Sequence, residues 1–167
     1  MEDRHPTNGL ETLRTAELFN MYRGILRELT NRGIVRTMNA PAGDYAEYLV
    51  AALVKGELAD NSEKSWDIKT ADGERLQVKC RVVQEGKRGQ RQLSPFRTWD
   101  FDRAVIVLFD DDYAISKCVA LPVDVVRAHG TYRKHVNGHV VQATVGLLNH
   151  ESAEDLTERL VAITEGA

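Results

Sequence analysis

Apolar positions in the first third of the chain repeat with helical spacing. Residues three and four apart, among them Leu18, Tyr22 and Leu29, predict an amphipathic helix over about 10–32, with Gly33 as a plausible end. The run YAEYLVAALV predicts a second helix from Asp44 to about Lys55, and it is apolar on nearly all sides. Such a helix is expected to be buried.

The middle of the chain changes to the period of β-strands. Strands are predicted over 66–70 and 75–83, joined by a tight turn at Ala71-Asp72-Gly73. The run AVIVLF that follows has no polar alternate positions, as in a central strand buried on both faces. These elements predict a sheet covered by helices on both faces.

The last third predicts shorter elements. A strand over 114–121 and a short helix over 123–129 precede a hairpin within 130–146 that turns at Asn137-Gly138. Ser152 and Asp155 have the spacing of a capping box, which predicts the start of a C-terminal helix. Leu156, Leu160 and Ile163 would form the apolar face of that helix.

Composition changes this picture little. With 167 residues, 43% hydrophobic and 28% charged, the chain is predicted to be a single domain over 1–167. No apolar run has the length of a membrane span or of a signal-peptide core, so we expect a cytoplasmic protein. Cys80 and Cys118 lie in strand-like runs and are interpreted as reduced core residues.

Charge is distributed unevenly along the chain. The net charge of -3 argues against bulk electrostatic coating of nucleic acid, yet the segment 79–103 holds seven basic and three acidic residues. Much of the basic excess lies in EGKRGQRQLSPFRTWDFD, which reads as a loop. This loop is either simply solvated or in contact with phosphates.

Two groups of polar residues occupy unexpected places. In the strand 75–83, Gln77, Lys79 and Arg81 form one row opposite an apolar row, and the hairpin partner brings Asp67 or Lys69 near them. In WDIK, the same alternation places Trp66 and Ile68 on the other side. Glu47 is the only charged residue within YAEYLVAALV, and a buried carboxylate needs a partner.

This order of residues resembles the PD-(D/E)xK nuclease superfamily. The resemblance rests on Glu47 in a helix, Asp67 in a strand, Gln77-Val78-Lys79 in the next strand, and then AVIVLF, and it covers about residues 40–110. Trp66 stands where proline is common. Gln77 stands where the commonest pattern has Glu or Asp, although a subset of the superfamily uses Gln-x-Lys.

The resemblance implies a restriction-endonuclease-like fold. This is an α/β fold with a central mixed sheet of four or more strands, flanked by helices on both faces. The nuclease-like core would span about 40–125, preceded by the helix over 10–32 and followed by a hairpin and helix over 130–165. Two-strand cleavage would call for a homodimer.

The resemblance also implies a catalytic site and a DNA partner. Asp67, Glu47 and Gln77 would hold Mg²⁺ or Mn²⁺, and Lys79 would orient the attacking water or stabilise the phosphate. The candidate DNA-binding residues are Arg81, Lys87, Arg88, Arg91 and Arg97.

Other interpretations of the same residues stay open. Asp44 and Glu47 have capping-box spacing, and Asp67 with Lys79 could be a cross-strand ion pair of small energetic value. A competing frame takes Asp60 as the first acid and Asp67-x-Lys69 as the triplet, but ELADNSEK lacks strand character.

Three further features allow more than one interpretation. Phe96 and Trp99 could stack on bases or anchor the loop to the core. His135 and His139 have a zinc-like spacing, but a turn separates them and no second pair of ligands is near in sequence. For the whole chain, the alternatives to an endonuclease are a non-catalytic nucleic-acid-binding or partner-binding module with the same fold, and an ordinary α/β domain.

Overall fold

A computed structural model describes residues 9–60, 62–63, 65–84 and 90–165. The chain divides into two compact units, residues 1–41 and 42–167. Each unit is described by itself. Among the described residues, no helix has the length and apolar character needed to cross a membrane.

The first unit contains a short 3-10 turn, Leu10–Thr12, and helix α1, Thr15–Asn31. The helix starts later than the sequence predicts because Leu13 and Arg14 are extended, and Glu17 accepts a hydrogen bond from the Arg14 amide at 2.8 Å. It ends as predicted before Gly33, whose φ of 71° is one that glycine adopts without strain. Of the predicted apolar face, Leu26 is fully buried, whereas Leu18, Tyr22 and Ile25 are exposed.

The second unit contains four helices and eight strands within the described residues. In chain order they are α2 Ala42–Val54, β1 Glu57–Leu58, β2 Ile68–Lys69, β3 Arg75–Val82, β4 Arg103–Phe109, β5 Ile115–Pro122, α3 Val123–Ala128, β6 Thr131–Arg133, β7 Gly138–Val140, α4 Val145–Leu148, β8 Glu154–Asp155 and α5 Thr157–Glu165.

Six strands form one mixed sheet in the order β1-β2-β3-β4-β5-β8. Strands β3 and β4 are parallel, and the other neighbouring pairs are antiparallel. Strands β6 and β7 form a separate two-stranded sheet. The α/β class and the mixed sheet of four or more strands are thereby confirmed.

Strand β4 is buried on both faces, as its unbroken apolar sequence predicts. Its residues alternate between two cores. Val105, Val107 and Phe109 lie in the first core, which includes residues of α2 and α5. Ala104, Ile106 and Leu108 lie in the second core, which includes residues of α3, α4 and the segment 93–101. Helices therefore cover both faces of the sheet.

Helix α2 begins at Ala42, two residues before the predicted start. Asp44 is then the third helical residue and Glu47 the sixth, so the capping-box interpretation of this pair is wrong. Pro41 immediately precedes the helix, and its fixed φ suits a helix start. Ala52 is exposed, although the helix was expected to be buried on nearly all sides.

The hairpin around Gly73 is shorter than predicted. Strand β2 contains only Ile68 and Lys69, although β3 matches its prediction closely and Gly73 turns with a φ of 91°. Because regular alternation begins only at Ile68, Trp66 packs against the second core while Ile68 lies in the first. The prediction that these two side chains share a face is therefore wrong.

Two predictions near the C-terminus need correction. A 3-10 turn over Lys134–Val136 precedes Asn137, so the β6–β7 hairpin has a longer connection than a two-residue turn. Ser152 does not cap α5. Asp155 lies in β8 and its Oδ1 accepts a hydrogen bond from the Thr157 amide at 2.9 Å. Leu156 and Leu160 are buried as predicted.

Candidate functional site

Asp67 is fixed to β3 by its backbone and its side chain. It lies directly before β2, and its amide donates to the Leu76 carbonyl at 2.8 Å. Its Oδ2 accepts from Nε2 of Gln77 at 2.5 Å and from the backbone amide of Val78 at 2.7 Å. The carboxylate therefore has a defined position beside the row of polar residues on β3.

The contact with Asp67 also orients the amide of Gln77. Because Nε2 donates to Asp67, the oxygen Oε1 is the atom of Gln77 that can act as a metal ligand. An acidic residue at this position would instead place two carboxylates side by side. Glutamine at position 77 thus makes a hydrogen bond where a carboxylate would make a repulsive contact.

Lys79 is half-buried on β3, two residues beyond Gln77. Its Nζ donates to the carbonyl oxygen of Pro95 at 3.2 Å and lies 5.0 Å from the centroid of the Phe96 ring. Burial lowers the pKa of this ammonium, and the nearby carboxylates of Asp67 and Glu47 oppose that effect. Lys79 does not form the close ion pair with Asp67 that a structural hairpin would have used, since its contacts lie in the segment after β3.

Glu47 is half-buried and reaches the same place from α2. Its charge acts on both Lys79 and Cys80. The pKa of the Cys80 thiol is raised to about 11, mainly by burial and further by Glu47. The carboxylate on the nearly apolar helix therefore lies among the polar groups of β3.

These side chains line one cavity of about 180 Å³, which we call the Asp67 cavity. Its lining consists of Gly43, Ala46, Glu47, Asp67, Gln77, Val78, Lys79, Cys80 and Ser94. All four predicted catalytic residues belong to it. They come from α2, the start of β2 and the middle of β3, so the sheet and α2 are needed to bring them together.

The donor atoms of the cavity fit a hard divalent cation. Two carboxylates and one amide oxygen are ligands that Mg²⁺ accepts, and Mg²⁺ usually keeps several waters in addition. Among the described residues, no group of three or more His, Cys, Asp or Glu side chains is placed to hold a metal ion. A metal here would therefore be held by Asp67, Glu47, Gln77 and water.

The structure does not place Asp60 and Lys69, the residues of the competing frame, in the Asp67 cavity. Both residues are exposed and neither lines the Asp67 cavity. The prediction that ELADNSEK lacks strand character is wrong, because Glu57–Leu58 within this segment forms a short strand. Asp60 itself lies beyond that strand.

The predicted DNA-binding residues differ in their placement. Arg81 and Arg97 are exposed and lie near enough to influence the pKa values of Cys80 and Lys79, respectively. Arg91 is half-buried and donates to the Ala143 carbonyl at 3.3 Å, so it anchors its segment to the C-terminal part of the unit. Lys87 and Arg88 lie outside the described residues.

The aromatic residues of this segment belong to the core. Phe96 is only 1% exposed and stacks on Trp99 with 5.1 Å between the ring centroids. This confirms the interpretation that they anchor the segment. His139 packs against Trp99 and Tyr132, with ring centroids 5.2 and 5.4 Å apart.

Sequence reasoning missed the contribution of Ser94 and Pro95. Ser94 lines the Asp67 cavity and the carbonyl oxygen of Pro95 holds Lys79. No sequence pattern identifies a backbone carbonyl as a partner. The only available indication was that the basic loop directly follows the strand carrying Lys79.

No protein-family model matches the chain, and comparison with curated proteins finds no significant relative. The geometry of the Asp67 cavity is therefore the basis for inferring a function.

Proposed function

We propose that the chain is a metal-dependent endonuclease of the PD-(D/E)xK type, with a restriction-endonuclease-like fold, that hydrolyses DNA phosphodiester bonds. The observation that carries the proposal is the convergence of Glu47, Asp67, Gln77 and Lys79 on one cavity. Asp67 and Lys79 alone would be compatible with a structural hairpin. The additional presence of Glu47, from a helix far away in sequence, favours a site built for chemistry.

The residues of the cavity suit Mg²⁺ or Mn²⁺ as a cofactor. Asp67, Glu47 and Oε1 of Gln77 would hold the ion. When bound, it would supply a water of lowered pKa and offset negative charge on the phosphate.

Lys79 is suited to stabilise the phosphate during hydrolysis. The Pro95 carbonyl and the Phe96 ring hold its amine in place, so it can donate hydrogen bonds to a phosphate oxygen as negative charge accumulates there. In the reaction, the oxygen of a water bonds to phosphorus and the bond from phosphorus to the leaving oxygen breaks. The water proton passes to solvent, and the leaving oxygen takes up a proton.

The first test is nicking of supercoiled plasmid in Mg²⁺ or Mn²⁺. Asp67→Ala and Lys79→Ala are each expected to lower the rate at least about a hundredfold, because each removes a group that offsets charge in the transition state. Asp60→Ala and Lys69→Ala are matched controls from the competing frame and should stay within about twofold of the wild-type rate.

Thermal unfolding would establish that each variant is folded. Unchanged nicking by both Asp67→Ala and Lys79→Ala would contradict the proposal. A loss confined to Asp60→Ala and Lys69→Ala would identify the competing frame as the active one.

A second candidate function is a non-catalytic nucleic-acid-binding module with the same fold. The hydrogen bond from Gln77 to Asp67 favours it, since that bond satisfies the carboxylate without any metal. Titration calorimetry with Mg²⁺ and Mn²⁺ separates the two functions. Retained DNA binding with no metal binding at millimolar concentration would support the module.

A further inference from the structure

A second pocket of about 240 Å³ lies between α3 and the β6–β7 hairpin. Its lining residues come from three stretches of the second unit, namely 92, 129–136 and 140–144. They are Gln92, His129, Thr131, Arg133, His135, Val136, Val140, Gln142 and Thr144. We call it the Arg133 pocket.

The lining of the Arg133 pocket has one sign of charge. It contains an arginine and two histidines but no carboxylate, in a chain that carries more acidic than basic residues. In the part of the chain that the structure describes, no carboxylate forms a salt bridge with Arg133 or His135. The charge of Arg133 is therefore available to a ligand.

Two neutral side chains of the pocket, Thr144 and Gln92, can donate hydrogen bonds to a ligand. Oγ1 of Thr144 accepts from the Leu147 amide at 3.2 Å, so its own proton remains to be donated. Oε1 of Gln92 accepts from Gln142 at 3.3 Å, which leaves the Gln92 amide nitrogen with two protons to donate. A concave surface that combines a guanidinium with several donors suits an oxyanion such as phosphate.

One ring of the pocket is held in a defined orientation. Nδ1 of His129 lies 2.9 Å from the Val125 carbonyl oxygen. A carbonyl can only accept, so Nδ1 carries the proton of this bond. Nε2 of the neutral ring is then an acceptor, so the donors to an oxyanion are Arg133, Gln92 and Thr144 rather than His129.

One extended segment contributes to the lining of both the Arg133 pocket and the Asp67 cavity. Gln92 lines the pocket and Ser94 lines the cavity, whereas Leu93 between them is 1% exposed. Residues two apart in extended chain point to the same side and lie about 7 Å apart. The segment is held to the hairpin region by bonds from the Leu93 amide to Val141 and from the Phe96 amide to His139, at 3.0 and 2.9 Å.

We propose that the Arg133 pocket binds a phosphate group of a nucleic acid strand whose neighbouring part lies in the Asp67 cavity. This inference rests on the proposed function for its choice of ligand, because a strand is the phosphate source that reaches both sites. Arg133 supplies the charge, while Gln92 and Thr144 supply hydrogen bonds. The pocket is a binding site and takes no part in bond cleavage.

The test measures binding of a fluorescent DNA duplex by anisotropy, without divalent metal, over a series of salt concentrations. Arg133→Ala should weaken binding about tenfold and lower the slope of log affinity against log salt by about one, because one phosphate contact is lost. Arg133→Lys should keep the slope, since it keeps the charge.

Lys134→Ala is the matched control. It removes the same charge from the adjacent residue, which is exposed and does not line the pocket, so binding should stay within about twofold of wild type. An equal loss in Arg133→Ala and Lys134→Ala would overturn the inference, because it would indicate only a general surface charge. Unchanged binding by a folded Arg133→Ala protein would also overturn it.

Titration with inorganic phosphate distinguishes a free ligand from a strand. A nucleic acid strand is supported as the ligand if phosphate binds with millimolar affinity that depends on Arg133, and if phosphate displaces the fluorescent duplex less effectively than unlabelled duplex DNA does. Arg133-dependent phosphate binding without any binding of DNA would overturn it in favour of a small phosphate ligand.

The plasmid assay separates this inference from the proposed function. Arg133-dependent DNA binding by a protein that never nicks plasmid would refute the nuclease and support the pocket. Metal-dependent nicking by a protein whose DNA binding does not depend on Arg133 would support the nuclease and refute the Arg133 pocket as a phosphate site.

Discussion

The Asp67 cavity and the Arg133 pocket differ in how their polar groups are satisfied. In the cavity, the carboxylate of Asp67, the amide of Gln77 and the amine of Lys79 are held by hydrogen bonds within the protein. The Arg133 pocket has no carboxylate in its lining, and the guanidinium of Arg133 forms no salt bridge within the described residues. A site of mixed charge suits a cation with its water, whereas a site of one charge suits an anion.

The largest difference between the two sites is expected in the metal dependence of stability after Gln77→Glu. The new carboxylate would replace an amide nitrogen that lies 2.5 Å from Oδ2 of Asp67, so two negative groups would meet without a proton between them. Without metal, the unfolding free energy should fall by about 1–3 kcal/mol, and Mn²⁺ or Mg²⁺ should restore it. Urea unfolding with EDTA and with each metal measures both effects.

Gln92→Glu is the control for this change in the Arg133 pocket. It introduces the same charge into a pocket that contains Arg133 and no carboxylate, so its unfolding free energy should change by less than about 0.5 kcal/mol and should not depend on metal. The same metal dependence in both variants would show that the Asp67 cavity is not a special cation site.

A loss of stability of similar size, but independent of metal, is expected from Gly56→Ala. A Cβ at Gly56 would lie 2.6 Å from Cγ2 of Ile68 and 3.0 Å from the Lys69 carbonyl oxygen, so β2 must shift beside Asp67. Overpacking of this kind costs about 1–3 kcal/mol. Thermal unfolding should show that loss, and plasmid nicking should fall while phosphate binding at the Arg133 pocket is retained.

Gly24→Ala in α1 is the matched control. A Cβ at Gly24 meets nothing within 4 Å, and alanine is a better helix former, so stability should rise by about 0.5–1 kcal/mol. Equal destabilisation by both substitutions would contradict the close contact at Gly56.

The smallest effect concerns the pH dependence contributed by Lys79. Burial lowers the pKa of Lys79 in the folded protein below the ordinary lysine value. Between these two pKa values the unfolded chain binds more protons than the folded chain, so stability rises with pH in that window. The destabilisation caused by the buried charge is complete below the folded pKa and disappears at high pH. Relative to Lys79→Met, the wild type should therefore gain stability as pH rises toward about 10.4.

Urea unfolding at a series of pH values measures this difference. Lys69→Met is the control because Lys69 is exposed on β2, and its stability difference from wild type should not vary over the same range. A wild-type protein that loses stability relative to Lys79→Met at high pH would contradict the direction of the shift.

Much of the sheet could be predicted because burial on one or two faces leaves a strong pattern. The alternation in β3 and the apolar run of β4 each matched a strand closely. Strands β1, β2 and β8 contain two residues each, which is too few for a period to be recognised. The start of α2 was misplaced because Asp44 resembles a cap, although the helix had already begun at Ala42.

The candidate catalytic residues were predictable and the Arg133 pocket was not. Glu47 is the only charged residue in a nearly apolar run, and Lys79 lies in a polar row that alternates with an apolar row along β3, so both stand out in the sequence. Arg133, His129 and Gln92 lie in exposed segments, where polar residues are ordinary. Their common position depends on the pairing of the segment 91–96 with 139–143.

The sequence by itself determined the α/β class and the central strand β4, because local periodicity records which positions are buried. The four residues proposed for catalysis were selected by the resemblance of their order to a nuclease pattern. The tertiary structure decided which groups those residues contact. Hydrogen bonds join Gln77 to Asp67 and Lys79 to Pro95, and the hairpin meets the segment after β3. Such contacts depend on the distances between segments remote in sequence, and only the packing of the sheet sets those distances.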